Sequence, residues 1–468
     1  MARADEYPRG VSLIAVRAAK NVTLVTLVTL VTLVAPARAN GRFPATTSVA
    51  FHPGDVRTTY VGSTFGLLVS ADDGVTWRWT CEENVGYGGT FDPVYVVSAA
   101  GTIFATTFDG LAISRDAGCS FAFATGPLDG HWASDATVAT DGTLWVTTSS
   151  GALENDLFVS RDDGLTFRAA GLASARAWWK RVRTAPSDPS VVYVSGYELD
   201  DPAIDGGDGL PSPLLARSSD GGATFTRLTP AVGGESQLLL LGVSPTEPNV
   251  VFARIDGAPD DLLLRSIDSG ATFDEVLRFP ADLSAFVARA DGRTVLAGTT
   301  SQGVRVSHDG GATFGTPAQQ PRMGCVGERS DGTLFACGAN WNPDRFAFGR
   351  SADGESWDKV FRFVELDGPL TCPSGAPHRI ECGPLWSGLA CQLGIGKGDA
   401  GPIVTVDAGP PDPTGDGGRR DGSVADGGGG GGPGPGCGCG VSLLAGIFVP
   451  WLPLGPRRPR RPRRPRTR

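Results

Sequence analysis

The chain has 468 residues, a formal net charge of −9 and an isoelectric point near 5.1. Positive charge collects at the two ends, about +3 in residues 1–39 and about +8 in the final arginine-rich tail, so the body between them carries about −20. A body this acidic repels nucleic acid and anionic membrane surfaces, which excludes a nucleic-acid-binding function and favours cations or cationic partners.

The first 39 residues predict a secretory signal peptide. Basic residues precede an apolar run over residues 22–34, and Ala37-Arg38-Ala39 provides a small-x-small cleavage site before Asn40. The run is short for a bilayer, and a retained N-terminal anchor is the alternative interpretation.

Residues 40–365 carry seven copies of the motif Ser-x-Asp-x-Gly-x-Thr-aromatic, at separations of roughly 41 to 58 residues. Each copy lies between two short apolar runs, as in a β-hairpin whose Asp accepts backbone N–H groups and whose Gly takes a positive φ. The period is that of a four-stranded blade. The predicted fold class is all-β: a seven-bladed β-propeller of four-stranded antiparallel blades, with the motif joining strands three and four. The motif aspartates are Asp72, Asp116, Asp162, Asp220, Asp268, Asp309 and Asp353.

This motif resembles the Asp-box, or BNR repeat, of sialidases, sortilin-type receptors and photosystem-assembly propellers. In that family the turn lies at the periphery, so the resemblance implies that the seven aspartates are structural and not catalytic. Sialidases also need an arginine triad, a Tyr–Glu pair and an acid Asp, and the tyrosines of this chain do not stand in the matching motifs. No catalytic residue is predicted, and a secreted, sialidase-like glycoside hydrolase is the alternative.

Because strands alternate in direction, the loops between strands two and three and the connections between blades emerge on the face opposite the motif. That face carries the longer, acidic loops and several aromatic residues, Trp132 among them. The acidic loop 198–213 either holds a calcium ion, the one cofactor considered, or is a solvated insertion. Trp178 and Trp179 either stack on a ligand or pack between blades. The candidate binding residues are Trp178, Trp179, Asp200, Asp201, Asp205, Asp208, Asp260, Asp261 and Trp341.

Seven of the nine cysteines lie in the exported body, where disulfides are permitted. Cys325 and Cys337 are equidistant from the turn residue Asp331, which predicts a disulfide across a hairpin. Cys81 and Cys119, on neighbouring blades, are candidates for an interblade bridge. A small Cys-rich segment, residues 366–396, holds the other three, and an odd cysteine leaves both a free thiol and a rearranged pairing open. No metal site is predicted from these cysteines.

Residues 397–436 are rich in Gly, Pro and Asp and predict a disordered, flexible stalk. Residues 437–468 follow with Cys437, Cys439, an apolar run and an Arg-Pro tail. This order resembles the MYXO-CTERM sorting signals of myxobacteria, which implies processing by a sorting protease at the membrane, with the two cysteines marking the processing or lipidation point, and membrane attachment through this segment. A solvated polybasic tail is the alternative, since the apolar run is only about 14 residues long.

Together these features predict an exported protein, placed at the cell surface or outer membrane or secreted. Its propeller is expected to bind a protein, peptide or glycan through the loop-rich acidic face without catalysis.

Overall fold

The computed structural model describes residues 42–199, 211–230, 232, 237–256 and 260–396. The chain divides into two units, Met1–Ile403 and Val404–Arg468, and all described residues belong to the first. The predicted signal peptide, stalk and sorting segment with Cys437 and Cys439 lie outside the described residues, as do Asp200, Asp201, Asp205 and Asp208. Within the described ranges, no helix has the length and apolar character needed to cross a membrane.

The described strands form seven sheets in chain order, and within each the consecutive strands pair antiparallel, which confirms the seven-bladed propeller. Blade one contains β1 (Thr46–His52), β2 (Asp55–Ser63), β3 (Gly66–Ser70) and β4 (Arg78–Thr80). Blade two contains β5 (Tyr95–Val97), β6 (Ile103–Thr106), β7 (Leu111–Ser114) and β8 (Ala122–Phe123). Blade three contains β9 (Ala133–Val138), β10 (Leu144–Thr148), β11 (Leu157–Ser160) and β12 (Arg168–Ala169). Blade four contains β13 (Ala177–Ala185), β14 (Asp188–Leu199), β15 (Pro211–Ser218) and β16 (Thr226–Leu228).

Blade five contains β17 (Leu238–Val243), β18 (Val251–Ile255), β19 (Asp261–Ser266) and β20 (Asp274–Phe279). Blade six contains β21 (Leu283–Ala288), β22 (Val295–Thr299) and β23 (Gly303–Ser307). Blade seven contains β24 (Cys325–Glu328), β25 (Leu334–Cys337), β26 (Phe348–Ser351) and β27 (Asp358–Phe361). A last strand, β28 (Gly368–Pro369), and the short helices α1 (Glu82–Val85), α2 (Pro377–Glu381) and α3 (Trp386–Leu393) complete the regular structure, with 3-10 turns at Gly126–Leu128, Phe363–Glu365 and Gly383–Leu385.

Blade six has three strands because its fourth strand ends after one residue pair. Val306 exchanges both backbone hydrogen bonds with Gly315, at 3.0 and 2.8 Å. Two residues earlier on β23, Val304 is the next residue whose backbone N–H and C=O are directed at the fourth strand. In this register its partner is Pro317, which has no N–H to donate. The Val304 carbonyl instead accepts a hydrogen bond from the Arg305 guanidinium at 2.9 Å.

The repeated motif forms the same hydrogen-bonded turn in the first six copies, while in the shorter seventh copy Asp353 accepts the backbone N–H groups of Glu355 and Ser356. In the third copy the Ser160 hydroxyl donates to the Asp162 carboxylate at 2.7 Å and accepts the Gly164 N–H at 2.9 Å. Thr166 donates to Asp162 through its backbone N–H at 2.9 Å and its hydroxyl at 2.5 Å. Bonds from the motif threonine hold the pKa of Asp162, Asp220 and Asp268 at about 2. These aspartates therefore serve as ionised acceptors that close the turn between the two outer strands of a blade.

Arginine side chains link the turns of neighbouring blades. Arg115 donates to the Asp163 carboxylate at 2.9 Å and to its carbonyl at 2.7 Å. Arg329 makes the corresponding contact across the closure of the ring, with the Asp73 carboxylate at 2.5 Å. The face that carries the repeated turns is thus a structural seam between blades.

Each blade is built from strands that are consecutive in the chain, and the segment after blade seven closes the ring from outside. After blade seven, residues 366–396, here called the clasp, cross the outer edge of blade one, where β28 pairs in parallel with β4. Cys382 is bonded to Cys81 and Cys372 to Cys119, so the clasp is fastened to blades one and two. The predicted Cys81–Cys119 bridge is therefore wrong, because the returning chain brings a closer partner to each cysteine.

The predicted hairpin disulfide is present. Cys325 and Cys337 face each other on β24 and β25, with their Cα atoms 4.9 Å apart.

Candidate binding site on the loop-rich face

Five aromatic residues from three successive blades converge on the loop-rich face. Phe91 lies in the connection between blades one and two, Phe108 between β6 and β7, and Trp132 in the connection between blades two and three. Trp178 begins β13 and pairs with Tyr197 near the end of β14. These residues are called the aromatic cluster below. Their convergence follows from topology, because the blade connections and the loops between second and third strands share this face.

The rings of the aromatic cluster form a continuous set of contacts. Trp132 is central, with ring centroids 4.7 Å from Phe108, 5.9 Å from Phe91 and 6.4 Å from Trp178. Trp178 and Tyr197 are parallel within 5° at 6.0 Å. Phe108 is 50% exposed and the other four are half-buried, so the cluster forms part of the surface.

Lys180 places its ammonium group among these rings. Nζ lies 4.0 Å from the ring centroid of Trp132, 5.4 Å from that of Trp178 and 5.6 Å from that of Tyr197. Lys180 is the extra residue at an irregularity in β13, where Trp179 pairs with Gly196 and Arg181 with Ser195. Lys180 lies two residues after Trp178, so the alternation of the strand places both side chains on the same side, and the bulge shifts the pairing only from Arg181 onward.

The Lys180 ammonium is poorly compensated. It makes no hydrogen bond or ion pair with any part of the chain that the structure describes. Burial, with a smaller contribution from the neighbouring charge of Arg181, lowers the pKa of Lys180 to about 8. Cation–π contacts offset only part of the cost of removing an ammonium from water.

Charged residues on the innermost strands β9 and β13 lie next to the aromatic cluster in sequence. The fully buried Asp135 accepts hydrogen bonds from Arg183 at 2.5 Å and from the Val182 N–H at 3.0 Å. Arg181 lies 3.9 Å from the other Asp135 oxygen, and burial lowers the pKa of this arginine. Asp135 therefore compensates its arginine neighbours, and the described residues supply no counter-ion to Lys180.

The two adjacent tryptophans have different roles. Trp178 belongs to the aromatic cluster, next to Gly151 of the loop between β10 and β11. Trp179 is fully buried between blades three and four, and its Nε1 donates to the Leu172 carbonyl at 3.1 Å. The sequence left open whether these tryptophans stack on a ligand or pack between blades, and the structure shows that Trp179 packs between blades.

The other predicted binding residues that the structure describes, Trp341, Asp260 and Asp261, lie outside the aromatic cluster. Trp341 contacts Phe43 at 4.9 Å and Phe363 at 6.0 Å, in a separate aromatic group where blades seven and one meet. Asp261 is buried and accepts the Leu283 N–H at 2.7 Å, and Asp260 lies 3.5 Å from Arg278.

Other acids with a raised pKa on this face also bind the protein itself. Burial raises the pKa of Asp156, whose Oδ1 accepts the backbone N–H groups of Leu157 and Leu172, both at 2.7 Å. Burial likewise raises the pKa of Asp344, whose carboxylate accepts from Ala339 and Arg322 at 2.8 and 3.0 Å. These carboxylates fix loops. Across the described ranges, no group of three His, Cys, Asp or Glu side chains is placed to hold a metal ion.

Sequence reasoning placed Trp132 and Trp178 near this site but did not identify Lys180, Phe91, Phe108 or Tyr197 as parts of it. The order of strands and loops could have placed Phe108 on the same face. Strand alternation could have placed Lys180 on the side of Trp178, but its contact with Trp132 is long-range and leaves no local signal.

No family model and no curated protein sequence matches the chain. Among solved structures, it is similar to the GH74 xyloglucanase from Xanthomonas campestris, at 15% identity over 66% of this chain and 60% of that chain, with a TM-score of 0.40. It is also similar to YCF48 from Cyanidioschyzon merolae, at 15% identity over 63% of this chain and 93% of that chain, with a TM-score of 0.44. YCF48 bound to D1 peptide matches at 15% identity over 57% and 77%, with a TM-score of 0.38. The chain thus spans about 60% of the xyloglucanase, and similarity at this level assigns neither a family nor an activity.

Proposed function

We propose that this protein is an exported, non-catalytic propeller, displayed at the cell surface, that binds a protein, peptide or glycan ligand through the aromatic cluster on its loop-rich face. The observation that carries the proposal is the convergence at one surface position of five rings and an ammonium that has no acidic partner among the described residues. Exposed groups of aromatic side chains are typical of binding sites, since each ring contributes a large apolar area and few rotatable bonds.

The absence of a catalytic role is supported by how the acids are used. The repeated-turn aspartates are ionised acceptors within hairpins on the opposite face, as a structural Asp-box would require. Asp156 and Asp344, whose pKa values are raised, are hydrogen-bonded to backbone N–H groups. A sialidase-like hydrolase would need acids directed at a substrate.

Export is supported by the three disulfides, which are typical of oxidising compartments. The predicted signal peptide gives the route, and the resemblance of residues 437–468 to a sorting signal gives the surface attachment through a membrane protease. Residues 397–436 would then act as the stalk between propeller and membrane.

Mass spectrometry of the protein recovered from its native surface tests export and attachment together. We expect a mature N-terminus at Asn40 and a modified or cleaved C-terminus near Cys437. An intact Met1 and Arg468 in the cell interior would contradict this part of the proposal.

Binding is tested with Trp178→Ala and with Leu165→Ala as the matched control. Leu165 is 70% exposed and lies in a repeated turn on the opposite face. Ligands captured from glycan and peptide arrays should be lost with Trp178→Ala and retained with Leu165→Ala. Turnover of a glycosidase substrate by the unmodified protein would refute the non-catalytic assignment.

A further inference from the structure

The inference concerns the ligand and rests on the proposed function. We propose that the aromatic cluster binds an acidic glycan, a polysaccharide of uronate type, whose carboxylate bonds the Lys180 ammonium while its pyranose faces stack on the exposed rings.

The charge of the ligand follows from Lys180, because salt screens the negative charge of the rest of the body beyond about 8 Å and the nearest charged group then decides which ligand binds. Its three N–H donors are unused by the described residues, although the half-buried side chain holds the ammonium among three rings. Buried charges in proteins are usually paired with a group of opposite charge. A ligand carboxylate would supply that partner through a short, charge-assisted hydrogen bond.

The neighbouring arginines, unlike Lys180, already lie beside acidic or carbonyl groups of the protein, so a ligand anion is not needed to compensate their charge. Arg183 already bonds Asp135 and the Leu241 carbonyl, at 2.5 and 3.0 Å. Arg176 donates to the Leu199 carbonyl and lies 3.7 Å from Glu198. Arg181, the charged neighbour of Lys180, lies beside Asp135. A single anionic group is therefore recognised at Lys180, as opposed to a dense cluster of sulfates or phosphates.

The glycan class follows from the rings. Nζ lies on the face of Trp132 and within 5.4 Å of the centroid of Trp178, so an anion bound to it would lie beside aromatic faces. In a uronate the carboxylate is attached directly to the pyranose, whose C–H face stacks on aromatic rings. One sugar residue can thus meet both requirements.

An acidic peptide fits this position less well. Extended peptides are recognised chiefly through backbone hydrogen bonds to a free strand edge. Here the backbone of Trp178 pairs with that of Tyr197, and β14 continues into pairing with β15 through Leu199↔Pro211. The site therefore offers side chains, which suits a stacking ligand.

The probes are oligogalacturonate and oligomannuronate, with neutral xyloglucan oligosaccharide, dextran sulfate and poly-glutamate as comparisons. We expect the two uronates to bind and the other three to bind at least tenfold more weakly. Lys180→Met should reduce uronate affinity at least tenfold, Lys180→Arg should retain most of it, and Trp178→Ala should reduce it to a similar extent as Lys180→Met. Leu165→Ala is the control, and thermal unfolding verifies that each variant is folded.

The pH dependence gives a readout that a structural role would not produce. The groups to consider around the ammonium are Arg181 on β13 and Tyr197 on β14, whose pKa is raised by burial. Carboxylate binding favours the charged lysine, so affinity should be constant from about pH 5, where the ligand carboxylate is ionised, up to the pKa of Lys180, and should fall by up to tenfold per pH unit above it. Lys180→Arg should remove this decline, since arginine stays charged.

The outcomes separate the two proposals. Equal binding of neutral xyloglucan with no effect of Lys180→Met, or binding of poly-glutamate or dextran sulfate as tight as that of uronates, overturns the acidic-glycan inference but leaves a binding function at the cluster. A peptide from the array that binds in a Trp178-dependent manner, with no glycan bound, does the same. Binding of all ligands unchanged by Trp178→Ala overturns both.

Discussion

Removal of the Cys81–Cys382 disulfide should destabilise the propeller more than removal of the hairpin disulfide Cys325–Cys337. The bond joins residues 301 apart in sequence, but the Cys119–Cys372 bond already closes most of that loop. While the Cys119–Cys372 bond is intact, the loop that the Cys81–Cys382 bond closes consists of the roughly 38 residues from Cys81 to Cys119 and the roughly 10 residues from Cys372 to Cys382. The chain-entropy relation for about 48 residues gives about 4 kcal/mol.

The same relation ranks the other variants. Loss of Cys325–Cys337, which closes 12 residues, should cost about 3 kcal/mol. Loss of both clasp disulfides also opens a loop of 253 residues, worth about 5.5 kcal/mol, and brings the total to about 10 kcal/mol. This is comparable with the whole stability of an ordinary domain, so the variant without either clasp disulfide should be largely unfolded.

Paired Cys→Ala substitutions avoid burying a hydroxyl, since Cys81 and Cys382 are 1% and 0% exposed. Urea unfolding without reductant, followed by tryptophan fluorescence, gives the free energy of unfolding for each variant. The reasoning is refuted if Cys81→Ala/Cys382→Ala costs less than Cys325→Ala/Cys337→Ala, or if loss of both clasp disulfides costs no more than loss of one. Either result would mean that the clasp does not constrain the unfolded chain.

Four further predictions concern stability. Asp162, Asp220 and Asp268 have a folded-state pKa of about 2, below the ordinary value, so the stabilisation they contribute is present above about pH 4 and is lost as the pH falls toward 2; urea midpoints between pH 2 and 7 should show this decline, and Asp162→Asn should make it shallower. Gly164→Ala should cost about 2–4 kcal/mol in urea unfolding, because a Cβ there would lie 2.5 Å from the buried ring of Phe104, whereas Gly171→Ala, with a similar φ and open space, should cost about 1 kcal/mol; equal losses would contradict the packing argument. Trp179→Ala should cost about 3–5 kcal/mol and Trp178→Ala about 1 kcal/mol or less, a difference that the same assay would measure. If loop 198–213 holds calcium, the melting temperature should be higher in calcium than in chelator, and identical values would reject that prediction.

The repeat and the fold were predictable because the interactions that define them are local. Each turn closes through bonds between residues two to four apart, such as Ser160 with Asp162 and Asp162 with Thr166, and these residue types recur at one blade's spacing. The Cys325–Cys337 pair was predictable for the same reason, since the hairpin fixes both cysteines opposite each other. Pro317 also gave a local signal for the missing strand of blade six, through its absent N–H.

The interactions that could not be predicted are long-range or depend on irregular backbone. Cys81 and Cys119 lie on neighbouring blades, and their disulfide partners are brought to them by residues 366–396, which return over blade one. Trp178 and Trp179 are identical in type and adjacent, and the pleat alone separates a surface ring from a buried one. Lys180 shares the side of Trp178 through the same alternation, but the register shift before Arg181 and the contact of Lys180 with Trp132 are not visible in the sequence.

The two faces of the propeller differ in how their charges are compensated. On the face of the repeated turns, the charged groups are bonded within the propeller. Asp162 accepts the Thr166 N–H of its own turn, and Arg115 and Arg329 donate to aspartates in the turns of adjacent blades. On the loop-rich face, Lys180 lies among rings with no acceptor from the described residues, although Asp135 on the neighbouring β9 compensates Arg183. Folding alone gives no reason to keep an ammonium there, because a methionine of similar length would pack against the same rings without the cost of burying a charge. We therefore expect Lys180→Met to preserve or increase the free energy of unfolding while it weakens ligand binding, and a loss of stability in this variant would instead assign Lys180 to the fold.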